Sequence, residues 1–141
     1  YSYALEHGYN KVSIGHHLDD ATESFFMNLM FNGSLRSMPP IYKAYNGLYV
    51  IRPFIHVRER QLREFVLENN ISVFNCNCPA YKNADNPKKP YAREQVKEML
   101  RDMESKNKNL FKMIGSAFEN IHIETFLNKD FFKLDGNGSE L

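Results

Sequence analysis

Residues 11–23 read Lys11-Val12-Ser13-Ile14-Gly15-His16-His17-Leu18-Asp19-Asp20-Ala21-Thr22-Glu23, and their chemistry changes midway. Lys11 to Gly15 reads as a short strand, with Val12 and Ile14 as its apolar residues. A helix follows from about Asp20 to Phe31, in which Ala21, Phe25, Phe26, Leu29 and Met30 recur at helical spacing and would bury one face. The polar run therefore lies where a strand ends and a helix starts. In open parallel α/β sheets that carboxyl edge is where ligands bind. Gly15 lets a ligand approach the backbone, and a helix start offers free N–H groups and partial positive charge to a phosphate. The histidines and carboxylates could bind a metal–nucleotide or move protons. A structural role competes: Asp19 or Asp20 caps the helix, and Asp20 with Glu23 makes a capping-box-like pair.

Upstream, Tyr1 to Glu6 reads as the end of a helix with Ala4 and Leu5 inward, stopped at Gly8. Downstream, Ser34 to Tyr45 is expected to be irregular at first, because Met38-Pro39-Pro40 fits neither a central strand nor a helix interior. Leu48 to Arg52 is a second strand closed by Pro53. Arg58 to Glu68 is a second helix, with Leu62, Phe65 and Val66 on its inner face. Ile71 to Phe74 is extended. Asn75 to Pro90, rich in Asn, Pro, Lys and Cys, is a loop. Arg93 to Lys106 and Leu110 to Ile121 are two further helices; in the first, Val96, Met99, Leu100 and Met103 follow the i, i+3, i+4, i+7 rule. The order predicts an α/β fold: a partial parallel sheet with flanking helices, followed by C-terminal helices. Three segments are expected, at 1–75, 76–127 and a mobile tail at 128–141.

The composition is that of an ordinary globular chain: 141 residues, 43% hydrophobic, 25% charged and a net charge of +1. No apolar run approaches the roughly 20 residues of a membrane-spanning helix, no secretory leader is seen, and no membrane role is expected. The first residue is Tyr1 rather than Met, within a helix-like segment, so the chain reads as part of something longer. Between Lys82 and Lys112 nine cations face five acids, a modest basic stripe compatible with RNA. Cys76 and Cys78 are too close for an easy disulfide. They point to a reducing compartment, the cytoplasm, and to a metal.

The run Gly-His-His-x-Asp-Asp-x-x-Glu, followed by Gly33-Ser34-Leu35-Arg36-Ser37-Met38-Pro39-Pro40, resembles the PP-loop ATP pyrophosphatase superfamily, and within it the tRNA 2-thiocytidine synthetase branch. Val50-Ile51-Arg52-Pro53-Phe54, Val57-Arg58-Glu59, Leu100-Arg101-Asp102 and Ser116-Ala117-Phe118-Glu119-Asn120 look like the same branch. The resemblance runs from Ala4 to about Phe132. It implies an adenine-nucleotide α-hydrolase-like fold that uses ATP and Mg2+ to adenylate a base carbonyl in tRNA, after which a sulfur donor protein displaces AMP. In that branch an iron–sulfur cluster takes part. The family's Ser-Gly-Gly-x-Asp-Ser phosphate loop does not occur in these residues, so the chain reads as the C-terminal portion, expected to be inactive alone.

By position, the resemblance places Gly15, His16 and His17 against the nucleotide, with Asp19, Asp20 and His17 as the catalytic set. Glu23 is a cap or a site residue. Arg52 would steady a phosphate, or pair with one of the aspartates. The branch has Cys-x-x-Cys-Gly where this chain has Cys76-Asn77-Cys78-Pro79, so a cluster ligand falls on Cys76 or Cys78. Two thiolates cannot hold a four-iron cluster alone; free thiols or adventitious zinc are the alternative. Lys88, Lys89, Arg93, Lys97 and Arg101 are expected to meet the tRNA backbone, or to be a solvated face paired with Glu94, Glu98 and Asp102. Tyr42, Tyr45 and Tyr49 could stack on a base but are more often rim residues. Missing sheet edges favour a homodimer. Competing functions are a lysidine-synthetase-like adenylating enzyme, a non-catalytic tRNA-binding or dimerisation module, and a phosphoesterase using His16, His17, Asp19 and Asp20 as metal ligands.

Overall fold

The computed structural model describes residues 1–73 and 91–127. A short helix α1 (Ser2–Glu6) leads to strand β1 (Lys11–Ser13) and helix α2 (Leu18–Phe31). Strands β2 (Ile41–Lys43) and β3 (Tyr49–Ile51) precede helix α3 (Glu59–Glu68). Helices α4 (Tyr91–Lys106) and α5 (Leu110–Glu119) and a 3-10 turn at Ile123–Thr125 complete the described chain.

The three strands form one sheet in the order β1-β3-β2. β1 and β3 are parallel, with Val12 opposite Val50, as the crossover pattern implies. The α/β fold class is therefore as expected, but the sheet is mixed. β2 runs antiparallel to β3, with Tyr42 opposite Val50, inside the stretch expected to be irregular. The prolines have no N–H to give the ladder, though the Pro40 carbonyl accepts from Arg52 N–H at 2.8 Å; Ile41 to Lys43 then takes an edge position. A tight turn returns the chain. Ala44 N–H donates to the Leu48 carbonyl at 2.8 Å, and Asn46 accepts from Leu48 N–H at 3.2 Å. Gly47 sits at φ +88°, which a side chain would strain.

Val50 is fully buried and Leu48 nearly so in the centre of the sheet. A second apolar cluster lies between α2, α4 and α5: Leu18, Val96, Leu100 and Phe111, with Phe26, Met27, Met99, Ile114 and Phe118 around it. It draws on residues from both sides of position 76. Leu100 is 3% exposed, so Leu100→Ala should cost about 2–5 kcal/mol through lost burial and a cavity, read as a lower urea midpoint at unchanged slope.

Several apolar residues expected inside are not. Leu5, Leu29, Met30, Phe65 and Met103 are all exposed among the described residues. Helical spacing marks an apolar stripe but does not say how much of it a neighbouring layer covers. Ile71 to Val73 forms no strand, because nothing pairs with it among the described residues. Phe74, the cysteine loop and the 128–141 tail lie outside the described residues.

Candidate active site

The strand–helix corner is built as its sequence suggests, but its side chains take different partners. Ile14 N–H still donates to the Ile51 carbonyl at 3.0 Å, so the chain leaves the sheet at Gly15. Gly15 has no positive φ, and a Cβ there would meet nothing within 4 Å; the space in front of it is open. Leu18 N–H donates to the Val57 carbonyl at 2.9 Å, tying the start of α2 to the segment that enters α3.

His17 is the N-cap residue of α2. Its backbone N–H donates to Asp20 Oδ2 at 3.2 Å, and Asp20 N–H donates to His17 Nδ1 at 3.4 Å. The capping box therefore joins His17 and Asp20, rather than Asp20 and Glu23. A histidine nitrogen replaces the usual hydroxyl because its lone pair reaches the same orphan N–H.

His16 points the other way. Arg52 Nε donates to its Nδ1 at 3.0 Å, which leaves the ring proton to Nε2. Arg52 Nη1 also donates to the Pro39 carbonyl at 2.6 Å, and its guanidinium lies 5.3 Å from the Tyr42 ring. Arg52 forms no ion pair with either aspartate among the described residues; it links the two strand ends and the Pro39-Pro40 turn. Ser37 Oγ donates to the Ala21 carbonyl at 2.8 Å, so the Met-Pro-Pro segment is anchored on α2 as well. Of the three tyrosines, Tyr42, Tyr45 and Tyr49 are all exposed.

Asp19 belongs to a half-buried network that sequence reasoning missed. Arg58 Nε lies 3.1 and 3.2 Å from the two Asp19 oxygens, and its Nη2 lies 3.0 Å from Oδ1. Glu59 N–H adds a bond to Oδ2 at 2.8 Å. On its other edge Arg58 grips Glu104 at 2.8 and 3.2 Å. The guanidinium face lies 3.4 Å from the Phe111 ring centre, a cation–π contact in a site only 13% exposed at Arg58. Burial acts to lower the Arg58 pKa, but the bonds to Glu104 and Asp19 outweigh it and raise it. The Arg58 hydrogen bonds hold the Glu104 carboxyl below its ordinary range, against burial. The Val57-Arg58-Glu59 run marked the spot, but nothing local could tell that its arginine faces inward.

Arg93 and Lys97, expected on an RNA-facing stripe, face α2. Arg93 Nη2 lies 3.1 Å from Asp20 Oδ1 and its Nε lies 2.9 Å from Glu23 Oε2; Lys97 lies 3.7 Å from Glu23. Arg101 lines a groove with α3 residues and a smaller hollow with Lys97 and Glu23, and makes no ion pair among the described residues. Lys88, Lys89, Cys76 and Cys78 lie outside the described residues.

No three His, Cys, Asp or Glu side chains among the described residues converge on a point that could hold a metal ion. His16 is engaged by Arg52, Asp19 by Arg58 and Asp20 by Arg93, while His17 lies 3.7 Å from Asp19 and 3.3 Å from Asp20. This arrangement does not fit the phosphoesterase reading, which needs their lone pairs to meet.

A strand-end histidine–aspartate corner on a partly parallel sheet sits where open α/β domains bind ligands, and the PP-loop domain family matches residues 1–103. The chain belongs to that family. It is also similar to curated tRNA-cytidine(32) 2-sulfurtransferases. It is 36% identical to that of Geobacter metallireducens over 131 residues, 92% of this chain and 49% of that protein. A second relative, from Francisella tularensis subsp. novicida, is 32% identical over 137 residues, 96% of this chain and 51% of the relative. That of Pseudomonas syringae is 34% identical over 134 residues. The chain spans about half the length of the curated relatives it matches.

Proposed function

We propose that the complete protein is an ATP-dependent tRNA sulfurtransferase that thiolates a cytidine of the anticodon loop, and that this chain supplies about half of the active site. The observation that carries the reading is the strand-end corner from Gly15 to Asp20, held between Arg52 and Arg58, in a chain similar to proteins named for this reaction. In the proposed reaction the base carbonyl oxygen attacks the α-phosphorus of ATP and pyrophosphate leaves. A sulfur nucleophile then attacks the same carbon, and AMP departs with the oxygen. Adenylation is required because an unactivated oxygen is a poor leaving group.

The roles proposed for the residues follow their partners. Open space in front of Gly15 admits the nucleotide. Arg52, fixed through His16 and Pro39, offers its remaining guanidinium N–H groups to a phosphate oxygen. His17 and Asp20 hold the start of α2, whose positive end faces the same corner. Asp19 sets Arg58, and through it the spacing of α2, α3 and α4. As placed, neither aspartate offers a free face to Mg2+, since arginine and backbone donors already occupy both. No step is therefore routed through the metal. Cys76 and Cys78 remain the candidates for iron–sulfur ligation; two thiolates are too few to fill such a site alone. The sulfur donor protein, a cytoplasmic setting and self-association belong to the same proposal.

The test is direct. The complete protein, given ATP, Mg2+, a sulfide source and unmodified tRNA, should yield 2-thiocytidine on nucleoside mass spectrometry. Lysidine in its place would move the protein to the sister adenylating enzymes. Tight tRNA binding with neither product nor nucleotide binding would favour a non-catalytic module.

A further inference from the structure

We propose that the groove between α3 and α4 is a track for the RNA phosphate backbone leading to the strand-end corner, an inference that rests on the tRNA reading above. The groove encloses about 700 Å³ and is lined by Arg58, Arg60, Arg63, Arg101 and Lys108 together with four acids. Asp19 and Arg58 are among its lining residues, so the groove reaches the helix start that follows the corner.

Most of the acids in the groove are already matched. Arg58 holds Asp19 and Glu104, and Arg63 holds Glu59 at 2.9 Å. Arg60, Arg101 and Lys108 make no ion pair among the described residues, yet Arg60 lies close enough to Glu104 for its charge to help lower that carboxyl's pKa. Glu64 is the one lining acid without a cation. The rim thus offers three uncommitted cations, Arg60 on α3, Arg101 on α4 and Lys108 in the turn after α4, plus Arg63, whose exposed pair is easily exchanged. A small-molecule site would be mostly apolar and enclosed. Here Leu67 is the single apolar lining residue, and long cationic side chains face each other across an open trough. That chemistry suits a polyanion whose charges repeat along a chain. Arg93 and Lys97 are paired with acids on α2, whereas Arg101 makes no ion pair among the described residues.

The test is tRNA binding by the complete protein, titrated at several salt concentrations. The variants are Arg60→Gln with Arg101→Gln, and separately Glu64→Gln. Thermal melting should be unchanged, since none of the three residues is ion-paired. The double variant should weaken binding about tenfold and reduce the salt slope by about 1.5 to 2, while Glu64→Gln tightens binding about two- to threefold. Opposite responses to opposite charge changes are something a merely structural role would not produce. Wild-type binding with both variants unaltered in affinity and slope overturns the groove and leaves the thiolation reading standing. Failure of the wild-type protein to bind tRNA at all overturns both.

Discussion

Arg58→Ala should destabilise the protein by about 3 kcal/mol, seen as a lower urea midpoint. The physical basis is the double grip described above. One guanidinium neutralises Asp19 and Glu104, whose side chains are 15% and 27% exposed. Truncation leaves two half-buried carboxylates facing each other at the wall of an open groove, and uncovers the Phe111 ring. Breaking a buried pair in this way costs about 3–5 kcal/mol, and partial exposure places this case at the low end. Arg58→Lys should recover only part of the loss, because an ammonium is a point charge and cannot present two forked edges at once. The network also has a pH signature. Glu104 has a folded pKa below its unfolded one, so its contribution is complete above the ordinary glutamate value of about 4.3. It is lost as pH falls through the lower, folded value. Arg58, with a raised pKa, stays charged throughout. The wild-type protein should therefore lose stability faster than Arg58→Ala as pH drops below about 5. A variant within about 0.5 kcal/mol of wild type would show that the network is not what holds these helices.

Asp20→Asn should lower thiolation by about 100-fold or more in the complete protein, with little change in fold. Without the carboxylate, Arg93 and the start of α2 lose their charged anchor at the corner, and a displacement of about 1 Å at a reacting site can cost on the order of 100-fold. The fold is spared because asparagine keeps a carbonyl oxygen that can accept His17 N–H. The lost pairing with Arg93, whose side chain is 46% exposed, is worth little. Asp19→Asn is the instructive contrast. It should lose activity and stability together, since the charge it removes is the one Arg58 answers. Single-turnover rates with matched melting curves separate the two. Thiolation by Asp20→Asn within about threefold of wild type would remove that residue from the active site.

Much of the architecture was legible in residues 11–31, where strand and helix signals are local. The parallel pairing of β1 and β3 followed from a helix lying between two apolar strands. The antiparallel β2 was also written locally, in Asn46-Gly47, a strong hairpin signal; the prolines at 39 and 40 drew attention away from it. The site was legible as a place but not as a wiring diagram. Which cation answers Asp19 depends on a partner 39 residues along the chain. Arg93 reaches Asp20 across 73 residues. No periodicity carries such pairings. The Arg93, Lys97, Arg101 spacing gives one helical stripe on paper, yet α4 is sandwiched, so adjacent turns of that stripe meet different neighbours.

The sheet is asymmetric in what it can still accept. β3 is satisfied on both sides, and β2 is flanked by Pro39-Pro40 and carries Lys43, features that discourage a further strand. β1 has no such guard: its outer row of N–H and C=O groups is open among the described residues, beside the exposed Tyr3, Leu5 and Tyr9. The layer therefore grows in one direction only. A parallel strand that extends it would register against Val12 and set its own carboxyl end next to Gly15. The edge acts as a ruler: the same hydrogen bonds that recruit the next strand fix how far the incoming backbone stands from the histidine corner.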